Sequence, residues 1–137
     1  MTIVEKIKVL EQYRGLTKRI KNIEESIMNL RLSVLPSGFD YSKDKVQTSP
    51  TDQMPEYAAE LDEMITMLEK KRKQLTEVMI RIEKAITQMD NHDEANLLYM
   101  RYIQFKYWED IANELHVSEK TVYRIKDSAL QNIKLDS

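Results

Sequence analysis

Along the first quarter of the chain, apolar residues recur at alternating intervals of four and three: Val9, Tyr13, Leu16, Ile20, Ile23, Ile27, Leu30 and Val34. That spacing keeps one apolar stripe on one side of a helix and predicts a single helix over residues 3–34 with a heptad seam. Gly15 lies within it and weakens it by roughly 1 kcal/mol relative to alanine without breaking the pattern. Pro36, Ser37 and Gly38 end it. Residues 36–55, PSGFDYSKDKVQTSPTDQMP, hold all three prolines and read as loop. So long a stretch without secondary structure points to a linker or a functional segment. Nothing in it resembles a glycine-rich cradle for phosphate.

A second long helix is predicted from Thr51 or Asp52, with Pro55 tolerated in its first turn, to about Met89. Leu61, Ile65, Leu68, Leu75, Met79, Ile82, Ile86 and Met89 repeat the heptad spacing, and Arg72 fills the one polar position of the seam. Such a helix is a rod on the order of 50 Å long. Two seams of this kind demand partners, either each other in an antiparallel hairpin, or another chain in a coiled coil, or both. Arg72 on the seam is a candidate for setting register or partner choice.

Asp90, Asn91, His92 and Asp93 are turn and capping residues and mark a boundary. They divide the chain into a long-helix interaction region, 1–90, and a C-terminal module, 91–137. Three short helices are predicted in the module, over about 94–104, 108–115 and 119–134. The expected fold is therefore all-α: two long heptad-patterned helices, as a hairpin or coiled coil, followed by a three-helix helix-turn-helix module.

The helix-turn-helix reading rests on the stretch WEDIANELHVSEKTVYRIKDSAL. Ile111, Ala112 and Leu115 form the inward face of its first helix, and the small Ala112 permits close approach of the second. Val117 plugs the corner. Val122, Ile125 and Ala129 face inward from the second helix, and Ser118 stands where an N-cap is needed. The first turn position, where the backbone goes left-handed, is His116, a residue that tolerates positive φ better than most. Lys120, Thr121, Tyr123, Arg124 and Asp127 are left on outer or flanking faces. A helix so placed enters the major groove by its N-terminal end. The rival reading is a tight corner between two packed helices with no DNA role.

Composition narrows the function classes. The chain has 137 residues, a net charge of −2, Cys 0, Gly 2 and Pro 3. The molecule is not a polycation, so nucleic-acid binding must come from a local patch. From Ser118 to Lys134 the cations Lys120, Arg124, Lys126 and Lys134 outnumber the anions Glu119 and Asp127. That excess suits weak binding by one module, strengthened by dimerisation or by a second protein on the DNA. Without cysteine there are no disulfides or thiolate metal sites, in keeping with a reducing cytosol. No apolar run approaches the roughly 18 residues of a membrane span, and the charged N-terminus MTIVEKIKVLEQYR is no signal peptide.

Other features point to packing or solvated surface. Lys70, Lys71, Arg72 and Lys73 read as a wet helix face, with a second phosphate contact or a polymerase-binding patch as the rarer use of such a run. Eight methionines suit adaptable packing. Trp108, Tyr102 and Tyr123 are expected in or at the edge of the small core. His92 and His116 are isolated, and pairs such as Glu24–Glu25 and Asp62–Glu63 diverge on a helix. No nucleophile–base pair, Walker loop or zinc spacing is present, so neither an enzyme nor a metal or cofactor is expected.

Leu97-Leu98-x-x-Arg101-Tyr102-Ile103, Trp108-Glu109-Asp110-Ile111-Ala112, Ser118-x-x-Thr121-Val122-Tyr123-Arg124 and Ala129-Leu130 together resemble region 4 of bacterial sigma factors. More closely, they resemble small phage-encoded regulators of the ArpU and late-transcription-activator type. The specific motifs cover about 35 residues, and the layout is similar over nearly the whole chain. Tyr107 departs from the pattern, which usually carries a Ser or Thr cap before the tryptophan. Nothing resembles a sigma region 2. The resemblance implies a promoter-proximal DNA-binding regulator of phage or prophage late genes, working with host RNA polymerase in the bacterial cytoplasm. Lys120, Thr121 and Arg124 are the expected base-edge or phosphate contacts on double-stranded DNA, flanked by Ser118, Glu119, Tyr123 and Lys126. The long helices are expected to mediate self-association, as a homodimer or higher oligomer, or contact with polymerase. A DNA-packaging protein of the small-terminase sort and a helical adaptor that binds polymerase without reading DNA are the competing expectations.

Overall fold

The structure, a computed structural model, describes residues 1–34 and 54–135. It is all-α, with α1 at Ile3–Ser33, α2 at Met54–Thr87, α3 at His92–Leu98, a π-helical segment at Tyr99–Ile103, α4 at Trp108–Leu115 and α5 at Glu119–Asn132. The expected loop 36–55 and its flanking helix stop and cap lie outside the described residues, apart from Met54 and Pro55 in the first turn of α2.

Contacts group the chain into two compact units, Met1–Thr17 with Gln74–Ser137, and Lys18–Lys73. In the first, the beginning of α1 and the end of α2 join the C-terminal module in one core. Val9 and Leu10 of α1 and Ile82, Ala85 and Ile86 of α2 share an apolar cluster with Leu97, Leu98, Tyr102, Ile111, Val122 and Leu130. The seams therefore serve two ends: their outer stretches are part of the core shared with the module, and their inner stretches belong to the second unit. The tail past α5 is part of this core, with Ile133 and Leu135 almost wholly buried.

Lys6 holds the C-terminal end of α5 in place, and Arg81 holds the extended tail beyond it. Lys6 Nζ donates to the carbonyls of Leu130 at 2.9 Å and Gln131 at 3.0 Å. Arg81 donates through Nε and Nη2 to the carbonyl of Leu135 at 3.0 and 2.6 Å. Carbonyls at a helix C-terminus lack intrahelical partners and carry the negative end of the helix dipole, so cations belong there.

The second unit is an antiparallel helix pair. Among the described residues, Ile20, Ile27 and Leu68 are its buried apolar ones, at 7–8% exposure, and the fully buried large side chains belong to the first unit. Every apolar seam position in the described part of both helices is at least half-buried. The polar one, Arg72, is exposed and donates from Nη2 to Glu24 Oε2 of the facing helix at 2.7 Å. An ion pair this exposed contributes little to stability, but it marks the register of α1 against α2. An apolar groove of about 440 Å³ opens between Ile27, Met28, Leu32, Ile65 and Leu68.

The π-helical segment interrupts what the pattern predicts as one helix over 94–104. Met100 and Tyr102, two residues apart within it, are both buried. It is followed by a second left-handed corner, Phe105 at φ 60°. The Lys106 N–H donates to the Met100 carbonyl at 2.9 Å, and Arg101 Nη1 donates to the Lys106 carbonyl at 3.0 Å, which clamps that corner. Burial raises the pKa of the Tyr102 phenol, nearby Glu11 raises it further, and Arg101 opposes both.

Because α1 and α2 complete the core, a fragment beginning at residue 91 should lose the cooperative urea transition of the full chain, as read by circular dichroism; a sharp transition in the fragment would contradict this packing. A Cβ at Gly15 would meet nothing within 4 Å, so Gly15→Ala should raise stability by about 1 kcal/mol, measured as a higher urea midpoint.

Candidate nucleic-acid interface

The corner between α4 and α5 is built from backbone geometry first. His116 sits in the left-handed region at φ 57°, ψ 44°. Its N–H donates to the Asn113 carbonyl at 3.3 Å, and the Val117 N–H donates to the Ala112 carbonyl at 3.0 Å. That pair of bonds is a Schellman motif, which satisfies the last carbonyls of α4. It explains why a left-handed residue is needed at 116, and Val117, half-buried, folds back over the end of the helix.

Ser118 then caps α5. Its backbone is extended, and its Oγ accepts from the Thr121 N–H at 3.2 Å. α4 starts at Trp108, as the spacing predicts, with Tyr107 in the cap position and no side-chain capping bond. Inside the corner, Ile111, Ala112, Val122 and Ala129 are buried, and Leu115 and Ile125 are half-buried. Every position assigned inward by the pattern is inward.

The outer face of α5 is what remains. Ser118, Glu119, Lys120, Tyr123, Arg124 and Asp127 are exposed. Lys120, Arg124 and Asp127 fall within one stripe of the helix, at i, i+4 and i+7. Lys120 and Arg124 make no hydrogen bond or ion pair among the described residues, so both cations are available to a ligand.

Two of the predicted contacts are placed differently. Thr121 is half-buried, and its hydroxyl lies 3.0 Å from the Ser118 hydroxyl, within the cap. Lys126 is half-buried over the aromatic pair Trp108 and Tyr123, at 5.8 and 5.3 Å from the ring centroids, with Asp127 at 3.7 Å. Arg101 stacks on Trp108 at 4.5 Å, and the Trp108 and Tyr123 rings lie 5.7 Å apart. Trp108 is thus a platform flanked by two cations, which joins the π-helical segment, α4 and α5. Sequence reasoning placed Trp108 at the core edge but gave no sign that it would hold Arg101 and Lys126. Lys106 is paired with Glu114.

Behind the interface, Glu94 is a buried carboxylate that the sequence did not single out. It accepts from Ser128 Oγ at 2.6 Å and Asn132 Nδ2 at 2.9 Å, and so ties α3 to α5. Its own N–H is capped by Asn91 Oδ1 at 3.0 Å. The one sign in the sequence is Ser128 and Asn132 at i, i+4 on α5, facing a capped acidic turn.

Among the described residues no group of three or more His, Cys, Asp or Glu could hold a metal ion, and no helix is long and apolar enough to cross a membrane. A family model described as protein of unknown function, DUF1492, matches residues 34–134. The chain belongs to that family. No curated protein and no solved structure matches it.

Glycine at 116 would occupy the left-handed corner without strain, so His116→Gly should hold or raise stability by up to about 1 kcal/mol, whereas a β-branched His116→Val should lower it by more than that. Thermal unfolding of both variants checks the sign; equal effects would mean that the corner relaxes out of the left-handed region.

Proposed function

We propose that this member of the DUF1492 family is a DNA-binding transcriptional regulator whose α5 reads the major groove. The observation that carries the reading is the division of α5 into two faces across a capped, left-handed corner. One face is buried through Val122 and Ala129; the other exposes Lys120, Tyr123 and Arg124. A corner that served packing alone would have no need to keep two cations unpaired beside the N-terminus of its second helix.

The chemistry follows from position. Lys120 lies in the first turn of α5 and Arg124 one turn on, so both reach outward near the end of the helix that enters a groove first. Arginine can donate two parallel bonds to guanine O6 and N7, and a lysine there can contact the same edge or a phosphate. The Tyr123 hydroxyl can donate to the phosphate backbone, and Glu119 can accept from a cytosine amino group. Ser118 and Thr121 act one step back, by fixing where α5 begins. Lys126, held over Trp108 and Tyr123, positions the aromatic edge and lends long-range positive charge. The resemblance of the motifs from Leu97 to Leu130 to sigma region 4 supports a setting beside RNA polymerase, as in phage or prophage late-gene activation.

The test is retention of sheared phage and host genomic DNA on the purified protein at physiological salt, read by sequencing. A narrow peak upstream of a gene block is expected. Lys120→Ala with Arg124→Ala should remove that peak while helicity is unchanged, each substitution weakening the site by about tenfold or more, given roughly 1–3 kcal/mol per base contact. Retention unaffected by the double substitution would take α5 out of the account.

A further inference from the structure

We infer that the inner part of α2 is an antiparallel self-association surface and that its partner is α2 of a second copy of this chain. Among the described residues of the second unit, Lys18–Lys73, no large side chain is fully buried. Yet α2 carries a second apolar stripe besides the seam that faces α1: Tyr57, Met64 and Met67, with Glu60 and Lys71 in the same heptad phase. Met67 is 49% exposed, and Tyr57 and Met64 are half-buried.

Charge along the helix selects the partner. Glu60, Asp62 and Glu63 lie on the N-terminal side of the Met64–Met67 stretch, and Lys70, Lys71, Arg72 and Lys73 on its C-terminal side. Two copies of α2 packed in parallel would set Glu60 against Glu60 and Lys71 against Lys71 along the stripe. Packed antiparallel about a two-fold axis at the Met64–Met67 level, Met64 meets Met67 of the other copy and Glu60 meets Lys71. Glu63 and Lys70, on the flank that faces its own equivalent in an antiparallel pair, meet each other twice. The surface is thus self-complementary in one orientation only, as a two-fold contact between identical chains requires. The groove beside Met28 and Leu32 has no such pattern. Its α2 wall, Ile65 and Leu68, lies about 160° and about 100° around the helix from Met67, and a similar two-fold there would set Asp62 against Glu69.

This inference does not depend on α5 binding DNA, and its test uses no DNA. The full chain should sediment as a dimer from low to high micromolar concentration. Glu63→Lys and Lys70→Glu should each raise the dissociation constant by about tenfold or more, since each substitution creates two like-charge contacts by symmetry. Glu63→Lys combined with Lys70→Glu should recover most of that loss, and Met67→Lys should leave monomer. All these positions are exposed, so circular dichroism should report unchanged helicity. A wild-type monomer, a closed ring of many subunits, or charge variants that sediment like wild type would each overturn the inference, as would a double charge swap no better than the singles.

Discussion

The first unit depends on α5 keeping one side dry. Val122, Ala129 and Leu130 are at 0–1% exposure, and α3 and α4 both pack against this helix. Apolar burial on this scale is worth roughly 25 cal/mol per Å², and it is distributed around a helix only 14 residues long. Such a helix is marginal alone. Its position comes from tertiary contacts: Ser118 at one end, Lys6 beneath the carbonyls of Leu130 and Gln131 at the other, and Glu94 gripping Ser128 and Asn132 midway. Because the inward face is so thoroughly fixed, the direction of the outward face is fixed as well. The proposed reading surface is rigid for that reason.

The corner was the most legible part of the sequence, because its rules are local. The left-handed residue, the cap three positions before Thr121 and the i, i+3 and i+7 spacing of Val122, Ile125 and Ala129 each follow from backbone geometry. His116 at φ 57° and the Ser118–Thr121 bond are where those rules place them. The seams were legible for the same reason, since period alone assigns Val9 through Val34 and Leu61 through Met89 to one face of each helix. Period does not say what covers a face. Leu10, beside the α1 seam, is wholly buried, and no spacing rule marks it; it is buried because the start of α1 belongs to the core of the C-terminal module. The π-helical segment, the left-handed Phe105 and the Glu94 cluster escaped for a related cause. Phe105 and Glu94 answer to contacts with residues distant in sequence, Tyr13 and Arg14 in one case and Ser128 and Asn132 in the other, and no spacing rule marks the π-helical turn.

The two left-handed corners illustrate the difference. At His116 the backbone turns because a helix must stop and another must start within a few residues, a demand written in the neighbouring pattern. At Phe105 it turns because the ring is held from outside the segment, 5.6 Å from the Tyr13 ring and beneath the Arg14 guanidinium at 5.5 Å. Left-handed backbone costs a non-glycine residue on the order of 1 kcal/mol. At Phe105 the ring contacts with α1 and the clamp by Arg101 offset that cost.

Cation placement limits what the module can do alone. Counting charges from Ser118 to Lys134 gives a modest positive excess, but the structure assigns several cations of this unit to other tasks. Lys6 and Arg81 hold carbonyls, Lys106 pairs with Glu114, and Arg101 and Lys126 lie on Trp108. On the exposed face of α5, Lys120 and Arg124 remain. Two phosphate contacts give a salt dependence and an affinity far below those of binders that neutralise six or more. A reading helix with so small an electrostatic anchor needs a second source of affinity, whether base contacts, a neighbouring protein on the DNA or a second copy of itself. The proposed antiparallel pairing of α2 would supply the last of these from within the chain, and it would double the number of α5 helices on one assembly.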